Sequence, residues 1–133
     1  MIIPKQRPVH FGICVFMAVL FLYSIAVQYN DPDALLWMLI YSVGLVLTIL
    51  HLYEKASPAL LLVASLSGIC GVTYLTLSIQ DVEMDNLFSS WNMRDRGVVQ
   101  VGEAIGLLIQ SLWLAYLVVA NRKTSRTSEY DSR

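Results

Sequence analysis

The residue with the greatest chemical reach in this chain is Glu103, a carboxylate set inside an otherwise apolar run. Gln100, Glu103 and Gln110 follow one another at spacings of three and seven residues, and Arg96 lies one turn further out. On a helix that spacing makes a single polar stripe. A charged side chain within a membrane helix costs roughly 2.5–3.5 kcal/mol on insertion scales, so it faces protein or water rather than lipid. Two chemistries fit. A protonated or paired carboxyl would act as hydrogen-bonding glue between helices, and a titrating one would be a proton or cation site. The stripe lacks the chain of further ionisable groups that a relay uses, so glue is the stronger reading.

A second polar group gathers Gln28, Asn30, Asp31 and Asp33, with Trp37 and Tyr41 following one turn apart. Together with Arg96, Gln100 and Glu103 these form the candidate functional cluster, all predicted to lie in one leaflet. Such a cluster would suit a small ligand, a metal ion or a lipid headgroup. Its plainer reading is a hairpin cap flanked by interfacial aromatics. His10 and His51 fall at the opposite ends of their runs, away from the acids, so no metal site is expected. Cys14 and Cys70 lie within apolar runs without CxxC spacing and read as small hydrophobes. No motif joins a nucleophile to a base and an orienting group, so no catalytic residue, cofactor or enzymatic activity is expected.

The elements that must position these groups are four apolar runs, roughly 11–29, 35–53, 59–79 and 98–120. At ~1.5 Å per helical residue each reaches ~28–35 Å, against a hydrocarbon layer of ~30 Å. Backbone polar groups survive in lipid only when bonded within their own segment, so the runs are predicted to be membrane-spanning helices. Hydrophobic residues make up 56% of the 133-residue chain and charged ones 14%, which leaves no soluble core outside the spans. The predicted fold is therefore an all-α integral membrane four-helix bundle over 1–121, with a disordered cytoplasmic tail over 122–133. A net charge of −1 and the absence of a basic, aromatic-bearing patch argue against nucleic acid. Lys5 and Arg7 ahead of the first run imitate a signal peptide, but the run exceeds the usual ~7–15-residue apolar core, so the span is predicted to be retained.

Topology follows from the cations. Lys5, Arg7, Lys55, Arg122, Lys123, Arg126 and Arg133 fall on one side, and only Arg94 and Arg96 on the other. That bias predicts both termini in the cytoplasm. In the first connection Asp31 is predicted to cap the second helix, with Pro32 at its first position and Asp33 in its first turn. Ser57-Pro58 repeats the arrangement before the third helix. Met84, Leu87, Phe88 and Trp91 carry the period of a short amphipathic helix lying in the interface. Gly102/Gly106, Ala64/Gly68 and Ser67/Gly71 are small-residue pairs four apart, which let helix backbones approach closely.

Gln28, Asn30, Asp31, Pro32, Asp33, Trp37 and Tyr41 read Q-x-N-D-P-D-x3-W-x3-Y, a pattern that resembles the transmembrane protein 220 family. Glu103-Ala104-Ile105-Gly106-Leu107 is similar to that family's E-x-x-G-L in a later span. Family members often carry arginine directly before this glutamate, where this chain has Gly102, so an Arg–Glu pair here would use Arg96 or Arg94. The resemblance implies a multi-pass membrane fold with a retained first hairpin, and it implies no particular activity.

The expected role is a structural or accessory component that packs against other membrane helices. The alternative is an oligomeric transporter or channel protomer using Glu103. Membrane lipids, another membrane protein or further copies of the chain are the expected partners.

Overall fold

The computed structural model describes residues 7–31, 33–78 and 96–132, the side chains at 96–100, 124–125 and 127–128 excepted. Helix α1 spans Pro8–Val27 and runs into a 3-10 turn, Gln28–Asn30. Helices α2 (Ala34–Leu52), α3 (Pro58–Ser78) and α4 (Arg96–Asp131) follow, and the described residues contain no strand. Among the described residues, four helices are long and apolar enough to cross a membrane. The predicted short helix around Met84–Trp91 lies outside the described residues.

The helix starts follow proline chemistry. Pro8 is the first residue of α1, where its missing N–H would have had no partner. The amide of Phe11 donates to the Arg7 carbonyl at 3.1 Å to close the first turn. Pro58 opens α3 as predicted, and the Leu61 amide donates to the Ser57 carbonyl at 3.1 Å.

The α1–α2 turn differs from the sequence expectation. Asp31 does not cap α2. Its amide donates to the Gln28 carbonyl at 3.0 Å and its own carbonyl accepts from Ala34 at 3.2 Å, so the 3-10 turn consumes its backbone. The N-cap is Asp33, whose carbonyl accepts from Trp37 at 3.3 Å and whose side chain makes no capping hydrogen bond. At the other end, α4 continues to Asp131 where a disordered tail was predicted. No glycine or proline follows Gly106, so nothing in the chain interrupts the helix. Asn121 also anchors its exit, donating from Nδ2 to the Ala56 carbonyl at 2.9 Å.

Helix α2 ends in a Schellman turn. The amide of Lys55 reaches back to the Leu50 carbonyl at 2.8 Å, and that of Glu54 to the His51 carbonyl at 3.0 Å. Glu54 itself takes the left-handed conformation, φ 56°.

The chain divides into two compact units. The first comprises residues 1–62 and 114–133, and its centre is the antiparallel α1–α2 hairpin. The buried face of α2 carries Trp37, Tyr41, Gly44, Leu47, Thr48 and His51, a stripe at helical spacing. The second unit comprises residues 63–113 and joins α3 to the first part of α4. Ser65 Oγ donates to the Ser111 carbonyl at 2.9 Å. A Cβ built on Gly68 would collide with Ser111 Oγ, and one on Gly71 would lie 2.7 Å from Leu107 Cδ2. The small residues of α3 are therefore spent on close approach to α4 within this unit.

Hydroxyls inside the spans are satisfied locally. Ser24, Ser42, Thr48, Thr73, Thr76 and Ser111 each donate to the carbonyl four residues earlier. That choice pairs each of these six hydroxyl hydrogens within its own helix.

Candidate functional site

The hairpin turn holds the first part of the predicted cluster. Trp37 and Tyr41 are both buried, one turn apart, with ring centroids 6.2 Å apart at an interplanar angle of 35°. Gln28 is half-buried, and its Oε1 has no hydrogen-bond partner among the described residues. Asn30 and Asp33 are exposed and Asp31 is half-exposed. Glu103 belongs to the second unit, half-buried on α4, and Gln110 is buried two turns further along the same helix. Arg96 and Gln100 lie in the first turns of α4, with side chains outside the described residues.

The densest chemistry lies at the opposite end of the hairpin, on residues from which the sequence suggests no site. His10 is in the first turn of α1, and Cys14 is four residues on, along the same face. His51 is in the last turn of α2, its backbone fixed by the Schellman bonds just described. The antiparallel hairpin brings these two helix ends together. His10 Nε2 lies 3.0 Å from His51 Nε2 and 3.6 Å from Cys14 Sγ. On the other side of its ring, His10 Nδ1 lies 3.0 Å from the hydroxyl of Tyr116 on α4. The two imidazoles meet edge to face, with centroids 5.2 Å apart.

Burial limits what this cluster can do. Cys14 is 0% exposed and His51 only 6%. The thiol, His10 and Tyr116 line up as nucleophile, base and orienting group, the order a thiol hydrolase uses. A wholly enclosed sulfur, however, offers no approach to a substrate. Both cysteines are free thiols, Cys14 buried and Cys70 exposed. Among the described residues, His10, Cys14 and His51 are also the group whose donor atoms could hold a metal ion, all lying within 4.8 Å of one another.

Sequence reasoning missed this convergence because it judged the histidines by their distance from the acids. The available signal was His10-x3-Cys14, an i, i+4 donor pair, combined with a hairpin short enough to return His51 to the start of α1.

A second feature of the first unit is basic. Pro58, Val119, Arg122, Lys123 and Arg126 line a cleft at the start of α3, which carries three cations and no acid.

The fold and its spans define a multi-pass α-helical membrane protein. The family described as "Transmembrane family 220, helix" matches residues 20–119, and the chain belongs to that family. The match includes the hairpin turn, His51, Glu103 and Tyr116 but begins after His10 and Cys14. No curated protein and no solved structure matches the chain.

Proposed function

We propose that this protein works as a structural or accessory component of a membrane assembly, packing against the helices of another membrane protein without enzymatic activity of its own. The observation that carries this reading is a seam on α4. Gly102, Ile105, Ile109 and Leu112 recur at spacings of three, four and three, and all are exposed. A Cβ placed on Gly102 would meet no atom of the described residues within 4 Å. The glycines of α3 are consumed inside their unit, whereas this notch is open among the described residues. Lipid is as apolar as leucine, so membrane helices associate through close backbone approach rather than hydrophobicity. A glycine at the head of a regular apolar seam suits that approach. The enclosed Cys14 thiol supports the non-enzymatic reading.

The positive-inside bias places both termini in the cytoplasm. In that orientation the cleft formed by Arg122, Lys123, Arg126 and Pro58 faces the cytoplasmic leaflet, where anionic headgroups would bind between the helix ends.

The test is copurification in mild detergent of the parent and Gly102→Leu. The reading expects a stoichiometric second protein with the parent, lost from the variant, and unchanged melting of the chain itself. A parent that purifies alone, or a partner indifferent to Gly102→Leu, overturns it. The transporter reading rests on the half-buried carboxyl of Glu103 within a span. Glu103→Gln keeps a donor and an acceptor without titrating. Normal assembly with lost pH-dependent flux in that variant would install the transporter in place of the accessory role.

A further inference from the structure

We infer that His10, Cys14 and His51 form a binding site for a soft transition-metal ion, monovalent copper ahead of zinc, at the helix-terminal end of the α1–α2 hairpin. This goes beyond the accessory role and does not depend on it.

Two of the three ligand edges are close to those of a coordination sphere. A metal bound to nitrogen at ~2.0–2.1 Å and sulfur at ~2.3 Å in tetrahedral geometry sets ligand edges of about 3.3 Å for N···N and about 3.6 Å for N···S. The His10–Cys14 edge is 3.6 Å, and the His10–His51 edge of 3.0 Å needs to open by only a few tenths of an ångström. His10 and His51 thus turn the same ring nitrogen, Nε2, toward each other, and Cys14 Sγ lies within 4.8 Å of both donors, so that an ion would draw the thiolate in toward His51.

The outer contact has the right sense. With a proton on Nδ1 donated to the Tyr116 oxygen, His10 presents a bare Nε2 lone pair to the centre. Metal-bound histidines are held in this way, by a hydrogen bond from the other ring nitrogen. Without an ion, the two facing Nε2 atoms must share one hydrogen between them, and the thiol must keep its own.

Ligand type selects the ion. The cluster contains no carboxylate, so it is unsuited to calcium or magnesium, which take oxygen donors. Thiolate with imidazole suits copper and zinc. One thiolate and two neutral imidazoles carry a single negative charge, so monovalent copper gives a neutral complex and a divalent ion leaves one positive charge. At a site where the sulfur is 0% exposed, the neutral complex has the smaller desolvation cost. Three protein donors leave one position for a further ligand or for transfer of the ion.

The experiment uses the full chain in detergent, stripped of metal and reduced, titrated with Cu(I) against a chromophoric Cu(I) chelator, and separately with Zn(II) and Co(II). The expected result is one Cu(I) per chain. Cys14→Ser, His10→Gln and His51→Gln should each weaken binding by roughly 100-fold or more, and Tyr116→Phe by about ten- to a hundredfold. The chain has two cysteines, so Cys70→Ser leaves Cys14 as the one thiol. In that variant a thiolate-to-cobalt charge-transfer band assigns the ligand even if Cys14→Ser fails to fold. Absence of that band, absence of competition for Cu(I), or a Cys14→Ser chain that binds as the parent does would overturn the site. None of these readouts involves a partner protein, so failure of the accessory reading leaves the result standing, and the reverse holds too.

Discussion

A histidine engaged through both ring nitrogens has two arrangements of its single proton, and His10 is engaged in this way by Tyr116 and His51. Tyr116→Phe removes a partner from Nδ1 while keeping the ring in place. It should lower stability of the metal-free chain by about 1 kcal/mol, the ordinary worth of one hydrogen bond, measured by melting in detergent. The glycines of the chain give a sharper contrast. Gly68→Ala forces its new methyl against Ser111, whose hydroxyl would have to abandon the Leu107 carbonyl it now donates to at 2.7 Å. Overpacking of that kind costs about 1–3 kcal/mol. Gly102→Ala meets no atom of the described residues and should leave the melting temperature of the isolated chain unchanged or slightly raised. Equal effects of the two substitutions would contradict the packing described. Glu103 and the hairpin acids were legible because charge in an apolar run is conspicuous. The His10–His51 pair was not, because its members are 41 residues apart and each alone resembles an ordinary helix-end histidine.

The helices themselves were the most legible elements, since a 19- or 20-residue apolar run has few alternatives in a membrane. Their ends were read less well, because caps depend on backbone bonds that composition does not display. Asp31 has the residue type of a cap, yet the 3-10 turn moves that role to Asp33. Asp31→Ala should therefore cost less than the ~1 kcal/mol of a lost side-chain cap. A full loss of that size in detergent melting would restore Asp31 to the capping position. The end of α2 gives the opposite prediction. Glu54 holds a left-handed conformation, φ 56°, which disfavours a side chain, and it places a carboxylate beside the negative end of the helix dipole. Glu54→Gly should raise stability by about 1 kcal/mol, seen as a higher melting temperature. A fall would show that the Glu54 side chain contributes more than its backbone strain removes.

For the whole molecule, a four-span membrane protein of the Transmembrane family 220 was readable from hydropathy and the hairpin residues together. The extension of α4 to Asp131 was not, because its polar residues lack an apolar period even though none of them breaks a helix. Orientation belongs to this scale as well. In a chain otherwise free of cysteine, a thiol reagent applied from outside should label a cysteine introduced at Ser90 and spare one at Ser128. The reverse pattern would invert the topology and move the basic cleft to the other leaflet. The role in an assembly is tested most directly by a photo-cross-linking residue placed at Ile105 on the α4 seam, read out in intact membranes and compared with one at Leu62 on α3. The account predicts a discrete adduct with one other membrane protein from Ile105, absent from Leu62 and abolished by Gly102→Leu. Adducts of Ile105 with lipid alone, or with a second copy of this chain, would contradict it.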